Sequence, residues 1–169
     1  DTYSTKILKK LIKKDISLIS MHTNIDKTHL NKYVGCDILG LDFHKADDFI
    51  LTADINLSFK SFAKLLKDKL GLRILKTTNK KKMIRTVSLT TGSGMSLLPN
   101  IKTDCFITGD IKYHEAMEAK ARDICLIDIG HYESEIHFMT LVYGLLQKYL
   151  KTNEKTAIML KSHNPFKYI

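Results

Sequence analysis

His131 and Glu135 have the spacing of a metal-binding pair. They lie four residues apart, directly after the apolar run Ile124–Ile129. If a helix begins near His131, the imidazole and the carboxylate share one helix face and can bind one metal ion or bridge two. These donor types suit zinc, iron or manganese better than magnesium or calcium. A surface pair has the same spacing, so the pair alone leaves both interpretations open.

His22 and Asp26 repeat the four-residue interval after a second apolar run, Ile16–Met21. Both side chains could bind a metal, but Thr23, Asn24 and Asp26 could equally form a turn that caps the next helix. The sequence gives the two interpretations similar weight.

Asp110, Tyr113 and His114 form a third polar cluster, after the apolar run Asp104–Thr108. Asp110 could cap a helix running from Lys112 to about Arg122, and His114 could be partly exposed or packed, which is the simpler alternative to metal binding. A glycine pair, Gly92 and Gly94, precedes a short predicted helix and could bind an anion through free amides, although two glycines alone are a weak signal.

Each of the three clusters follows an apolar run that we interpret as a strand. Ligand sites gather at the carboxyl ends of strands in open α/β sheets, so one cleft could collect all three clusters. Strand and helix patterns alternate along the chain, which indicates an α/β layer fold. The pattern also predicts a long helix over Tyr132–Leu150, with Ile136, Met139, Tyr143 and Leu146 inside, and a last strand at Ala157–Leu160.

Composition indicates one globular α/β unit over residues 1–169, without a readable internal boundary. The chain has 169 residues and is 44% hydrophobic, with no apolar run near the roughly 18 to 20 residues of a membrane span. Three scattered cysteines fit a reducing compartment, so we expect a cytoplasmic protein.

The net charge of +9 could favour a nucleic-acid partner, but only three of the 27 basic residues are Arg, the side chain best suited to phosphate. A Lys-rich solvated surface is the preferred interpretation. From Asp104 to His137, eight acidic residues stand against three basic ones. This stretch is therefore where we expect cations.

Several motifs taken together resemble the Nif-three-like family, often described as type-two GTP cyclohydrolase homologues. The similar segments are Thr108–Ala116, Asp128–Glu135, Ser20–Asp26, Thr91–Gly94 and the closing Asn164-Pro165, in the same order and rough spacing over essentially the whole chain.

The resemblance implies a layered mixed sheet flanked by helices, assembled as a toroidal homohexamer with two divalent transition-metal ions. It implies Asp26, His131 and Glu135 as metal ligands, with His22 and His114 lining the same cavity. Within such a site we expect Glu135 and His114 to be catalytic residues, with His114 as a proton shuttle, and His22, Asp110 and Tyr113 to be auxiliary. Two cations sharing a carboxylate can produce hydroxide near neutral pH.

One feature of the family is missing. Its members carry adjacent histidines in an N-terminal segment, and this sequence has no His-His. Because the chain begins with Asp1 rather than Met, we expect it to be the C-terminal part of a longer chain, with an incomplete metal site.

We therefore expect a metal-dependent hydrolase acting through a metal-bound hydroxide on a small-molecule substrate that the sequence does not identify. The alternative is a non-catalytic, ring-shaped scaffold that binds a protein or nucleic acid.

Overall fold

A mixed sheet of six strands forms the centre of the computed structural model, which describes residues 2–78, 81–150 and 160–167. In chain order the strands are β1 (His44–Lys45), β2 (Leu51–Ser58), β3 (Lys76–Thr77), β4 (Met83–Leu89), β5 (Cys105–Thr108) and β6 (Cys125–Asp128). Their order in the sheet is β1-β2-β4-β5-β6-β3. The predicted α/β fold with a layered mixed sheet is confirmed.

Helices connect and flank these strands. They are α1 (Tyr3–Lys13), α2 (α-helical Thr23–Ile25, then π-helical Asp26–Leu30 and Tyr33–Ile38), α3 (Phe59–Leu70), a 3-10 helix (Met95–Asn100), α4 (Tyr113–Ala121), α5 (His131–Glu135) and α6 (Phe138–Tyr149). In the described part of the chain, no helix combines the length and apolar character needed to cross a bilayer.

The three central strands determine where the polar clusters meet. β4 pairs with β5, and β5 with β6, in parallel. The carboxyl ends of parallel strands lie at one sheet edge, so the segments after Leu89, Thr108 and Asp128 come together there. The strands predicted at Asp104–Thr108 and Ile124–Ile129 are present as β5 and β6, with narrower bounds.

Core packing on both faces of the sheet holds that edge in place. Ile107 and Ile127 pack in one buried cluster, and Phe106 and Leu126 pack in another. Successive side chains of a strand point to opposite faces, so β5 and β6 are covered on both sides. This explains why their sequences are continuous apolar runs rather than alternating patterns.

The predicted strand at Ile16–Met21 is wrong. These residues form no strand, and Ile19 is 86% exposed. An apolar run becomes a strand only where a neighbouring strand supplies hydrogen-bond partners, and the described ladders do not include this run.

The long helix predicted at Tyr132–Leu150 is interrupted, because α5 ends at Glu135 and α6 begins at Phe138. Ile136, Met139 and Tyr143 are partly buried as predicted, but Leu146 is exposed, and Phe138 and Leu141 pack against the core cluster. The predicted inner face is therefore only partly right. The last predicted strand, 157–160, lies outside the described residues except for Leu160.

Candidate metal centre

The His131 imidazole lies between two carboxylates. His131 is the first residue of α5, which is the position that metal binding by the His131 and Glu135 pair requires. Its Nδ1 is 2.6 Å from Oδ2 of Asp110, and its Nε2 is 3.2 Å from Oε2 of Glu135. An ionised carboxylate only accepts hydrogen bonds, so we assign the Nδ1 proton to the bond with Asp110. The Nε2 contact then needs one further proton, on either His131 or Glu135.

Asp26 reaches the same place from α2, where it begins a π-helical stretch. A cavity of about 730 Å³ is lined by five of the predicted side chains, namely His22, Asp26, Asp110, His131 and Glu135. π-Helical turns are often found at functional sites. The ends of β5 and β6, together with α2, bring these five side chains to one cavity.

Two predicted residues lie elsewhere. Tyr113 and His114 are exposed on α4 and do not line this cavity, and their rings contact each other edge to face at 5.4 Å. The proton-shuttle role expected of His114 therefore has no support from its position in this structure.

The alternative capping roles are only partly met. Asp110 does not cap α4, because that helix begins at Tyr113 with Lys112 as its N-cap, and the Asp110 carboxylate contacts His131 instead. In the other cluster, the Asn24 side chain accepts a hydrogen bond from the His22 amide at the start of α2. The turn interpretation thus fits Asn24, while Asp26 lines the cavity.

Burial and charge shift the acid–base properties of the site. Desolvation, reinforced by the charge of Asp26, raises the pKa of Glu135 against the opposing effect of His131. Desolvation likewise raises the pKa of Asp26, although His22 and His131 oppose it. Two carboxyl groups that resist ionisation next to each other are a site where added positive charge is favourable.

The pKa of His131 is also raised. Desolvation would lower it, but the hydrogen bond and charge of Asp110, together with the charge of Glu135, outweigh that effect. Because the pKa of His131 is higher in the folded than in the unfolded chain, protonation of His131 stabilises the fold. This stabilisation is complete at pH values below the unfolded-state pKa and is lost as the pH rises through the folded-state pKa.

Asp110→Asn should therefore lower the pKa of His131, since it removes the charge that holds the proton on the ring. An NMR titration of the His131 ring protons measures this directly. The free energy of unfolding of the metal-free variant should lie below that of the parent chain at pH values under the ordinary histidine value of 6.5, and the two should converge at higher pH. Asp42→Asn, at an exposed position, is the control. An unchanged His131 titration would contradict the assigned hydrogen bond.

The loop after β4 lies directly against the Glu135 side chain. Gly92 has φ of 65°, and a Cβ atom at this position would collide with Oε1 of Glu135. The buried Ser134 hydroxyl accepts a hydrogen bond from the Gly92 amide at 2.9 Å and donates one to the His131 carbonyl at 2.8 Å. The Gly94 amide donates to the Thr108 hydroxyl, so neither glycine amide is free for the anion that the glycine pair suggested.

Asn31 is a structural residue of the site that the sequence reasoning missed. Its side chain is 2% exposed, and its Oδ1 accepts hydrogen bonds from both the amide and the hydroxyl of Thr91 at 2.8 Å. It thereby joins the helix of Asp26 to the loop of Gly92. Its spacing carried no signal, whereas Ser134 could have been suspected because it lies between His131 and Glu135.

The donor set suits a transition metal, but the side chains do not form a coordination shell. Among the described residues, no three His, Cys, Asp or Glu side chains are placed so that they could hold one ion. The fit lies in the donor types and the shared cavity. Binding would require Asp26 and Glu135 to close on the Nε2 atom of His131.

The family comparison agrees with the motifs. Residues 1–165 match the family model described as Duf34/NIF3 (NGG1p interacting factor 3). The chain belongs to the DUF34/NIF3 family. This confirms the resemblance inferred from the sequence motifs.

Two curated relatives support this membership. The chain is 42% identical over 168 residues to a Campylobacter jejuni protein named GTP cyclohydrolase 1 type 2 homolog, covering 99% of this chain and 68% of the relative. It is 39% identical over 151 residues to a Helicobacter pylori protein named GTP cyclohydrolase 1 type 2, covering 88% and 62%. This DUF34/NIF3 chain thus spans about two thirds of the length of these relatives.

Solved structures agree on the fold. The Staphylococcus aureus protein SA1388 superimposes with a TM-score of 0.85 at 24% identity, over 100% of this chain and 74% of that chain. At this level of identity the likeness supports the DUF34/NIF3 fold alone.

Proposed function

We propose that this DUF34/NIF3 chain binds divalent transition-metal ions through Asp26, His131 and Glu135 and acts in a metal-dependent hydrolase. One observation carries the proposal. His131 Nε2 faces Glu135 across 3.2 Å, a contact that only a shared proton can hold together. A divalent cation can take the place of that proton, and Asp26 lines the same cavity.

Asp110 would act by orienting His131. Its carboxylate holds Nδ1 and leaves Nε2 directed at Glu135, an arrangement that is common for metal-binding histidines. The Gly92 loop and Ser134 fix the helix that carries both ligands. Residues outside the ligand set thus determine the position of the donors before an ion arrives.

A cation bound here would act as a Lewis acid on a water molecule and on the substrate. Glu135 and Asp26 would hold the cation as carboxylates, since its charge would favour the ionised form that burial disfavours without it. The cavity, at about 730 Å³, lies in the range of small-molecule sites.

The names of the relatives suggest the reaction class. A GTP cyclohydrolase opens a ring by hydrolysis, and we extend this class, without its substrate, to the present chain. The second ion and the homohexamer expected from the family remain parts of the proposal. Exposed apolar side chains on α1, such as Leu8 and Ile12, are surface that association could cover.

Zinc binding by the metal-depleted chain tests the proposal, with Glu135→Gln as the variant. Zinc at 100 times its dissociation constant should raise the free energy of unfolding of the parent chain by about 2.7 kcal/mol. Glu135→Gln should lose most of this gain, because the amide is a poor replacement for a carboxylate ligand. Thermal melts with and without zinc, together with metal analysis, measure both.

Glu118→Gln, at an exposed carboxylate that pairs with Arg122 on the far side of α4, is the matched control and should keep the gain. Without zinc, Glu135→Gln should not be less stable than the parent, since it removes a charge next to Asp26. An equal zinc effect in the parent chain and Glu135→Gln would show that the ion binds elsewhere.

A further inference from the structure

A second pocket adjoins the cavity and contains none of the proposed metal ligands. Its volume is about 310 Å³, and it shares Lys76 and Ile111 with the cavity. We propose that this pocket binds a flat aromatic ring that carries a negatively charged group, either carboxylate or phosphate. The proposal goes beyond the metal-dependent function, because its residues would act whether or not an ion is bound.

The floor of the pocket is apolar. Ile111 and Ala116 belong to a buried apolar cluster, with Leu126 of β6 fully buried beneath them. The Thr77 and Thr78 hydroxyls, which also line the pocket, donate to the Leu126 and Ile124 carbonyls, so the floor offers few free hydrogen-bonding groups and accepts the face of a ring. The volume is at the lower end of small-molecule sites, which suits a single ring system.

An aromatic side chain stands at the rim. Tyr113 is 74% exposed, although it lies beside an apolar pocket into which a phenol ring could have folded. The Tyr113 ring contacts the His114 ring edge to face, with an angle of 80° between the ring planes. An exposed aromatic ring next to an apolar floor provides a stacking partner for a flat ligand.

Two lysines supply the charge preference. Lys76 Nζ is held by Asp128 Oδ2 at 2.7 Å and by the Ile111 carbonyl at 3.1 Å, so this cation stays at the boundary between the two pockets. Its side chain is nevertheless 66% exposed. Lys112 lines the other side of the pocket. Asp128 partly offsets the charge of Lys76, so an anionic substituent on the ring would meet positive charge at the rim chiefly from Lys112.

The backbone from Asp110 to Tyr113 forms the wall between the sites. Asp110 contacts His131 in the cavity, and Tyr113 lines the second pocket three residues later. A ligand seated on Tyr113 could therefore extend past Lys76 toward the proposed metal centre. The pocket would select ligands by ring shape and charge.

Four small probes test the inference on the metal-depleted 169-residue chain, followed by amide chemical shifts in NMR. Benzoate and phenylphosphonate are the aromatic anions that distinguish the two charged groups, benzyl alcohol is the neutral ring, and acetate is the anion without a ring. We expect saturable shifts centred on Ile111, Tyr113 and Ala116 with at least one aromatic anion, and weaker binding of the other two probes.

Tyr113→Ala should weaken the aromatic anion by about threefold to tenfold, whereas Tyr113→Phe should bind like the parent. Lys112→Gln should reduce binding of the anion by up to about fivefold and leave benzyl alcohol unchanged. Tyr3→Ala and Lys120→Gln, exposed positions outside the pocket, are the matched controls.

The inference fails if no probe gives saturable shifts at these residues, if Tyr113→Ala binds like Tyr3→Ala, or if benzyl alcohol binds as tightly as both anions. These measurements use no metal ion. A negative zinc experiment would therefore leave this inference standing, and failure here would leave the metal centre standing.

Discussion

His131→Ala should reduce the affinity of the chain for zinc by at least about 100-fold, since it removes the nitrogen donor of the proposed ligand set. The imidazole contacts both Asp110 and Glu135, so its loss also removes the group that links these two carboxylates. Calorimetric titration of the metal-depleted chain measures the affinity. Any hydrolytic activity of the protein should fall with it.

His114→Ala is the informative comparison, because the sequence assigned both histidines to the same chemistry. The structure places His114 on the exposed side of α4, so its removal should leave the zinc affinity within about twofold of the parent. If His114→Ala weakens zinc as much as His131→Ala does, the ligand set is wrong. If only turnover falls in His114→Ala, the expected proton shuttle gains support.

Gly109→Ala should lower the free energy of unfolding by about 2–3 kcal/mol. A Cβ atom at Gly109 would lie 2.7 Å from the backbone nitrogen of His131 and 2.8 Å from the Gly92 carbonyl oxygen. These atoms belong to the backbone and cannot rotate away, so the loops around the site must separate. The Gly109 amide also donates to the Gly92 carbonyl at 2.7 Å, and this bond would lengthen.

Gly144→Ala is the matched control, because a Cβ atom at Gly144 in α6 meets no atom within 4 Å. There the substitution should be neutral or stabilising by up to about 1 kcal/mol, as helix propensity favours alanine. Denaturant unfolding of both variants decides the comparison. Equal stability of the two variants would mean that the loops after β4, β5 and β6 do not pack as described.

The metal centre and the ring pocket together suggest how the chain is organised. Asp110 and Tyr113 lie on one short connection after β5, and each faces a different depression of the surface. If both proposals hold, this connection places a bound ring at a defined distance from the ion.

Local elements with complete signals were predictable from the sequence. Helix α3 is an example, because the Ser58 side chain accepts from the Ser61 amide, Gly71 ends the helix in a left-handed conformation, and Phe62, Leu66 and Leu70 recur on one buried face. The apolar runs of β5 and β6 were equally clear, and the predicted helix start at about Tyr132 lies one residue from the observed start at His131. In each case, the residues that determine the element are close neighbours in the sequence.

Other features depend on contacts between distant parts of the chain. The run at Ile16–Met21 has the composition of a strand, yet strand formation requires a partner edge that composition does not reveal. The break between α5 and α6 has no Pro or Gly to announce it. Sheet order was also undetermined, because β3 pairs with β6 rather than with the strand that follows it.

The sequence by itself determined the family, the types of donor and their positions directly after apolar runs. Only the tertiary structure decided which donors share a cavity, because parallel pairing of β4, β5 and β6 brings Gly92, Asp110 and His131 to one edge while α4 turns His114 away. Asn31 and Ser134 became visible for the same reason. Asn31 and Ser134 both form hydrogen bonds to the loop after β4, which is distant from them in sequence. Such contacts leave no periodic pattern in the chain.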